Sequence, residues 1–210
     1  MYPGSRQVRD WCNGAKVIPV LTIENIEHAV PLARALAAGG VKVIEITLRT
    51  ECALAALEKV SEAVPELCVA VGTVRTQGDV YRAKKHKAHF AISPGTTLQL
   101  LDAAFDAVLP IMPGVATASE VMQWSEYGVD TFKFFPAEQM GGVATLKAFH
   151  PPLPGVCFCP TGGVNESNAR AYLDLPNVIG IGGSWLVSAE QLAGEDWDGI
   201  TKSAARAMAL

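Results

Sequence analysis

The sequence predicts one α/β domain, residues 1–210, folded as a (β/α)8 (TIM) barrel, and three observations lead there. Short runs rich in Val, Ile and Phe alternate with longer stretches rich in Ala, Leu, Glu and Lys, as strands and helices do in a parallel fold. Eight such rounds fit into 210 residues, half of them hydrophobic, which suits a single core. No GxGxxG turn follows the first run, and open doubly wound sheets usually have fewer strands, so a closed barrel is the better match.

The elements follow in chain order. Residues 5–13 read as a helix that caps the barrel. The strand runs are 17–21, 43–48, 68–73, 90–93, 108–112, 131–135, 156–161 and 178–182, each short, apolar and rich in β-branched or aromatic residues. Helical stretches separate them, among them 26–38, 50–63 and 167–173, and residues 189–210 read as one closing helix with a mobile end.

Side-chain parity then assigns faces, because alternate residues of a strand point to opposite sides and the outer side packs on helices. On the second strand Ile44, Ile46 and Leu48 share the outward face, which sends Val43, Glu45, Thr47 and Arg49 inward. The sixth strand puts Phe132 and Phe134 outside and Thr131, Lys133 and Phe135 inside. The seventh sends Cys157, Cys159 and Thr161 inward, and the third is expected to send Val69, Val71 and Thr73 inward.

A strand lysine commonly lays its stem on apolar surface and reaches water with its ammonium. Here Phe132, Phe134, Phe135 and Pro136 surround Lys133 with dry neighbours, and inward Arg49 adds a like charge. Both disfavour the ammonium, and a neutral amine is the nucleophile that attacks a ketone. Glu45 reads either as a counter-ion for Arg49 or Lys133, or as the acid and base that imine formation needs at each stage. Arg49 suits the carboxylate of a 2-keto acid through paired hydrogen bonds.

Two glycine pairs fall at the rim, Gly162-Gly163 after the seventh strand and Gly182-Gly183 at the eighth. Turns use glycine freely, but these two loops hold phosphate in many such barrels, where backbone N–H groups approach an anion closely. A short helix opening at Ser184 is expected to add its positive end.

Composition narrows the partners. A formal charge of -4 gives no basic footprint for nucleic acid or an anionic membrane. The apolar runs fall short of the roughly 20 residues that span a bilayer, and residues 1–13 show no secretory h-region, so a soluble cytoplasmic protein is expected. The five cysteines lack zinc-finger spacing and are expected to be unpaired thiols, and the four histidines avoid strand ends, so no metal site is expected.

The segments Glu45-Ile46-Thr47-Leu48-Arg49-Thr50, Gly72-Thr73-Val74, Ser93-Pro94-Gly95, Phe132-Lys133-Phe134-Phe135-Pro136-Ala137-Glu138, Pro160-Thr161-Gly162-Gly163 and Gly182-Gly183-Ser184-Trp185 occur in this order. Together they resemble the 2-keto-3-deoxy-6-phosphogluconate (KDPG) aldolase family, which includes 4-hydroxy-2-oxoglutarate (KHG) aldolase activity, over the stretch from about Val17 to Val187. The resemblance implies a homotrimeric barrel in which Lys133 forms an imine with pyruvate or the sugar acid and Glu45 moves protons. Arg49, Thr73 and Thr161 would hold the pyruvate part, the Pro94 carbonyl and Phe135 would line the site, and Gly162, Gly163, Gly183 and Ser184 would bind phosphate. The implied reaction splits the phosphorylated keto-deoxy sugar acid into pyruvate and glyceraldehyde 3-phosphate with no metal and no organic cofactor. Two other readings use the same residues: a phosphosugar isomerase or epimerase in which Lys133 acts only as a charge, and a non-catalytic phosphosugar-binding barrel.

Overall fold

The computed structural model describes residues 3–210 and has the predicted (β/α)8 architecture. Helix α1 (Pro3–Cys12) precedes the strands β1 (Val17–Leu21), β2 (Val43–Thr47), β3 (Cys68–Gly72), β4 (Phe90–Ile92), β5 (Ile111–Met112), β6 (Gly114–Val115), β7 (Thr131–Phe134), β8 (Cys157–Pro160) and β9 (Ile181–Gly183). Parallel ladders run in the orders β5-β4-β3-β2-β1-β9 and β6-β7-β8. The bridges Phe158 to Val178 and Thr161 to Gly182 join β8 to the β9 segment. Strands β5 and β6 are two halves of one stave, split at Pro113, which has no N–H to give to a ladder.

Outside the staves lie α2 (Ala29–Ala38), α3 (Ala53–Ala63), α4 (Gln77–Lys85), α5 (Leu98–Asp106), α6 (Ala118–Ser125), α7 (Gly142–Phe149), α8 (Ala169–Leu173), α9 (Ala189–Ala193) and α10 (Trp197–Met208). None of the helices is long and apolar enough to cross a membrane, among the described residues. Ile44, Ile46, Phe132, Phe134 and Phe158 pack outward with helix residues such as Leu36, Leu57, Val80 and Leu146. Val43, Ala70, Phe90, Ile92, Met112 and Cys159 form a second cluster inside the barrel with Val8, Cys12 and Ala15.

Helix α1 closes the floor. Ser5 donates to the Asp130 carboxylate at 2.7 Å and accepts the Asp130 N–H at 3.0 Å. Arg9 donates to the Gly155 carbonyl at 2.6 Å, while Trp11 stacks on Phe90 with ring centroids 5.7 Å apart.

Several expectations need correction. On the third strand, Val69 and Val71 face outward and Ala70 faces the interior, because Ala70 lies in register with Glu45. The run 108–112 becomes a strand only at Ile111, since Val108 is 74% exposed with φ at 49° and its N–H ends the preceding helix. The stretch 26–38 is a short 3-10 turn (Ile26–His28) followed by α2, and 50–63 becomes helical only at Ala53. Residues 189–210 form two helices, parted where Glu195 takes φ 50° after Gly194. No helix opens at Ser184; the chain turns there and α9 begins after its N-cap, Ser188.

Candidate active site

Lys133 on β7 and Glu45 on β2 are 88 residues apart in sequence and meet inside the barrel, where Lys133 Nζ donates to Glu45 Oε1 at 3.0 Å and to Oε2 at 3.2 Å. Residue exposure is only 6% for Lys133 and 2% for Glu45, so the pair sits in a nearly water-free setting. Removing two charges from water is expensive, and an apolar pair of similar volume is often as stable or more so. The sequence nevertheless makes room for them. A Cβ at Gly72 would lie 2.1 Å from Glu45 Oε1, so only glycine leaves that carboxylate its place. The Phe135 ring lies under the amine, 5.5 Å from Nζ to the centroid.

Cys159 is in register with Lys133 and points into the same interior. Burial pushes its thiol up to about 12, with Lys133 and Glu45 acting in opposite senses behind that larger effect. It therefore stays protonated and does not compete with the amine as a nucleophile. Thr47 is fully buried and already engaged, donating to the Leu21 carbonyl at 2.8 Å and lying 3.2 Å from Thr22 Oγ1.

Around the pair, the strand ends supply the mouth. Arg49 lies one turn past β2 and is exposed, not inside the barrel beside Lys133 as parity suggested. Its guanidinium has no ion pair or hydrogen bond among the described residues, so it is not the partner of Glu45. Thr73 is half-buried with φ at 60°, an unfavourable left-handed conformation for a branched residue, and this ends the alternation of β3. The Ser93-Pro94-Gly95 turn is held against Gly114, whose N–H donates to Ser93 Oγ at 3.1 Å and whose Cα would carry a Cβ 2.4 Å from the Pro94 carbonyl carbon. Gly114 is itself in register with Lys133, which places this turn on the neighbouring stave. Thr161 is buried beside Gly182, where a Cβ would come within 2.2 Å of Thr161 Oγ1.

The two glycine loops are neighbours through the Thr161 to Gly182 bridge. Gly162 and Gly163 have φ values of 100° and 79°, which glycine adopts without strain. Gly163 and Ser184 are exposed, and their N–H groups have no acceptor among the described residues. Gly183 packs its Cα against the Trp185 ring. Because the chain turns at Ser184, no helix end adds its dipole there; backbone N–H groups and the Ser184 side chain are what the loop offers an anion.

Parity thus found Lys133, Glu45 and Thr161 inside, whereas Arg49 lies exposed in the turn past β2 and is not buried with them. It missed Gly72, Gly114 and Gly182, whose role is to be absent of side chain next to an inward polar group. The available signal was a glycine inside or at the end of a strand, which often marks close approach. Among the described residues no group of three His, Cys, Asp or Glu side chains is placed to hold a metal ion.

A family model described as KDPG and KHG aldolase matches residues 8–203. The chain is 50% identical to the KHG/KDPG aldolase of Escherichia coli strain K12, over 91% of this chain and 90% of that protein. It is also similar, at 44% identity and a TM-score of 0.92, to KDPG aldolase of Legionella pneumophila with pyruvate captured at low pH as a covalent carbinolamine, covering 95% of this chain and 97% of that one. The 2-keto-3-deoxy-6-phosphogluconate aldolase of Zymomonas mobilis ZM4, solved with 3-phosphoglycerate, has 41% identity and a TM-score of 0.92, covering 98% of this chain and 96% of that one.

Proposed function

The chain belongs to the KDPG and KHG aldolase family, and from that premise we propose that it cleaves 2-keto-3-deoxy-6-phosphogluconate to pyruvate and glyceraldehyde 3-phosphate through an imine on Lys133. The observation that carries this reading is the hydrogen-bonded contact of 3.0 Å between the Lys133 amine and the Glu45 carboxylate in the dry barrel interior. Along that contact a proton passes from nitrogen to carboxylate, leaving the neutral amine that attacks the C2 ketone. Protonated Glu45 then gives its proton to the carbinolamine hydroxyl, water leaves, and a protonated imine forms.

That imine is the electron sink, so the chemistry needs neither metal nor organic cofactor. Glu45, again a carboxylate, takes the proton of the C4 hydroxyl, directly or through water, as the C3–C4 bond breaks into the imine. Glyceraldehyde 3-phosphate departs, the enamine takes a proton at its methylene carbon, and hydrolysis frees pyruvate and the lysine. The carbinolamine captured in the Legionella relative is the kind of adduct this route passes through.

Arg49, with its unengaged guanidinium, is the residue we assign to the substrate carboxylate, together with Thr73 and Thr161; the Pro94 carbonyl and Phe135 line the pocket. Gly162, Gly163, Gly183 and Ser184 take the phosphate, and the Zymomonas relative, solved with 3-phosphoglycerate, is a protein of this family found with a three-carbon phosphate. KHG, which lacks phosphate, is a second substrate. A single domain acting as a cytoplasmic homotrimer completes the proposal, and sedimentation velocity tests the trimer.

The reaction itself is tested by coupling pyruvate release to lactate dehydrogenase. The parent protein should release pyruvate from KDPG, and Lys133→Arg, which keeps charge but forms no useful imine, should fall to background. A six-carbon isomer formed without pyruvate would point to isomerase chemistry instead.

A further inference from the structure

We propose that Glu138 and Tyr172 act as a positioning brace that aims the Gly163 N–H at the substrate phosphate, an inference that rests on the assignment of the glycine loop to phosphate above. Neither side chain is assigned to the substrate; both act through the loop.

The backbone supplies the first half of the argument. Beyond β7, the Ala137 N–H donates to the Thr161 carbonyl at 2.8 Å and the Glu138 N–H donates to the Gly162 carbonyl at 3.1 Å, so the turn after Lys133 is laced to the phosphate loop. In a trans peptide the C=O and the following N–H point in opposite directions. Fixing the Gly162 carbonyl toward Glu138 therefore turns the Gly163 N–H away from that turn, and this N–H has no acceptor among the described residues. On the next peptide the Gly163 carbonyl accepts from Asn165 Nδ2 at 3.2 Å and from Asn168 Nδ2 at 3.1 Å, which fixes the other side of the same glycine.

The side chain of Glu138 supplies the second half. Its stem lies directly against Gly163, where a Cβ would come within 2.5 Å of Glu138 Cγ and 2.7 Å of its Cβ. A carboxylate beside a phosphate-binding loop would repel the phosphate if it swung toward it. Here it is tied back by a hydrogen bond from the hydroxyl of Tyr172, a fully buried residue of α8. Gly142 leaves space for this pair, since a Cβ there would lie 2.8 Å from the Tyr172 hydroxyl and 3.1 Å from Glu138 Oε1. Burial, then Glu138, raises the Tyr172 phenol above its ordinary value, so the donor persists across the working pH range.

The test compares Tyr172→Phe, Glu138→Ala, Glu138→Gln and Ser184→Asp with the parent, reading KM and kcat for KDPG alongside deuterium exchange into pyruvate, which has no phosphate. Tyr172→Phe and Glu138→Ala are expected to raise KM for KDPG roughly tenfold, the worth of weakening one hydrogen bond to a charged group, with exchange within about twofold of the parent. Glu138→Gln keeps the stem and an acceptor for Tyr172, and should hold KM near the parent value. Unchanged KM in both brace variants, or KM and exchange lost together, overturns the brace. Ser184→Asp separates the two levels of the argument. If it alone raises KM for KDPG, the phosphate assignment stands and the brace falls; if it and the brace variants all leave KM unchanged, the phosphate assignment falls and takes the brace with it.

Discussion

At the floor of the barrel, Cys12 at the end of α1 packs with Val43, Cys68 and Phe90, and the polar groups of that end, Ser5, Arg9 and Asp130, pair with one another at its rim. At the mouth the same staves carry a lysine and a carboxylate inward, beside a threonine held at φ 60° and strand glycines that leave room for side chains. Charge at the floor stays at the partly exposed rim, and the thiols inside are neutral: burial raises Cys12 well above its ordinary value and pushes Cys68 up to about 12, so both remain uncharged. The mouth instead keeps a buried ion pair, although apolar residues in such a place are often as stable or more so. The contrast teaches that packing alone accounts for one end, while the other end holds groups whose place is explained by what they do to a substrate.

Four substitutions sharpen or break this contrast. Glu45→Gln keeps size but cannot exchange a proton, and should lower the cleavage rate by roughly 10² to 10⁴, the usual worth of a positioned proton-transfer group. Deuterium uptake into pyruvate, compared at matched imine occupancy, should fall with it; unchanged uptake would leave Glu45 as a mere counter-ion. Gly72→Ala should displace the Glu45 carboxylate, lowering kcat at least tenfold by the loss of aligned proton transfer and stability by about 1 to 3 kcal/mol through overpacking. Retained kcat would show that Glu45 does not need its present position. At the floor, Cys12→Ser should weaken the fold by about 1 to 3 kcal/mol in urea titration, the penalty of a buried hydroxyl, with kcat at 25 °C within about twofold. A catalytic defect there would dissolve the distinction between the two ends.

The smallest effect is expected at Asp79, which supports the turn following Thr73. Burial opposes its ionisation, but the N–H groups of Arg75 and Thr76 and the Arg82 guanidinium outweigh burial and hold the carboxyl below its ordinary value. A depressed carboxyl stabilises the fold above the unfolded-state pKa of about 4, and that contribution is lost as pH falls through the lower folded value. Asp79→Asn should therefore be less stable than the parent by about 1 kcal/mol at pH 7, with the gap closing on acidification below about pH 4. A gap that is constant with pH would remove the carboxylate from the explanation.

How much of this was legible in the sequence depended on the contrast between the faces of each strand. On β2 a charged residue between Ile44 and Ile46 left one reading of the faces, and on β7 Lys133 between Phe132 and Phe134 did the same. On β3 the run Val69-Ala70-Val71 is apolar on both faces, as buried parallel strands are, and only the register with Glu45 decides that the valines point outward. The split fifth stave was hidden because Gly114 and Val115 carry no strand pattern of their own and pair across Pro113 with a different ladder from β5. Other errors had visible signals. Ser188 and Gln191 spell the capping box that starts α9, which argues against a helix at Ser184, and Gly194 marks the break in the closing helix. The distance between Lys133 and Glu45 was not legible, because it depends on barrel closure bringing β2 and β7 to face one another.

The most direct test of the account adds pyruvate and borohydride to the intact protein and maps the reduced adduct by peptide mass spectrometry. The account predicts one adduct, on Lys133, which is lost in Lys133→Arg. An adduct on Lys42 or Lys147 in place of Lys133, or no adduct from a protein that still releases pyruvate, would contradict it.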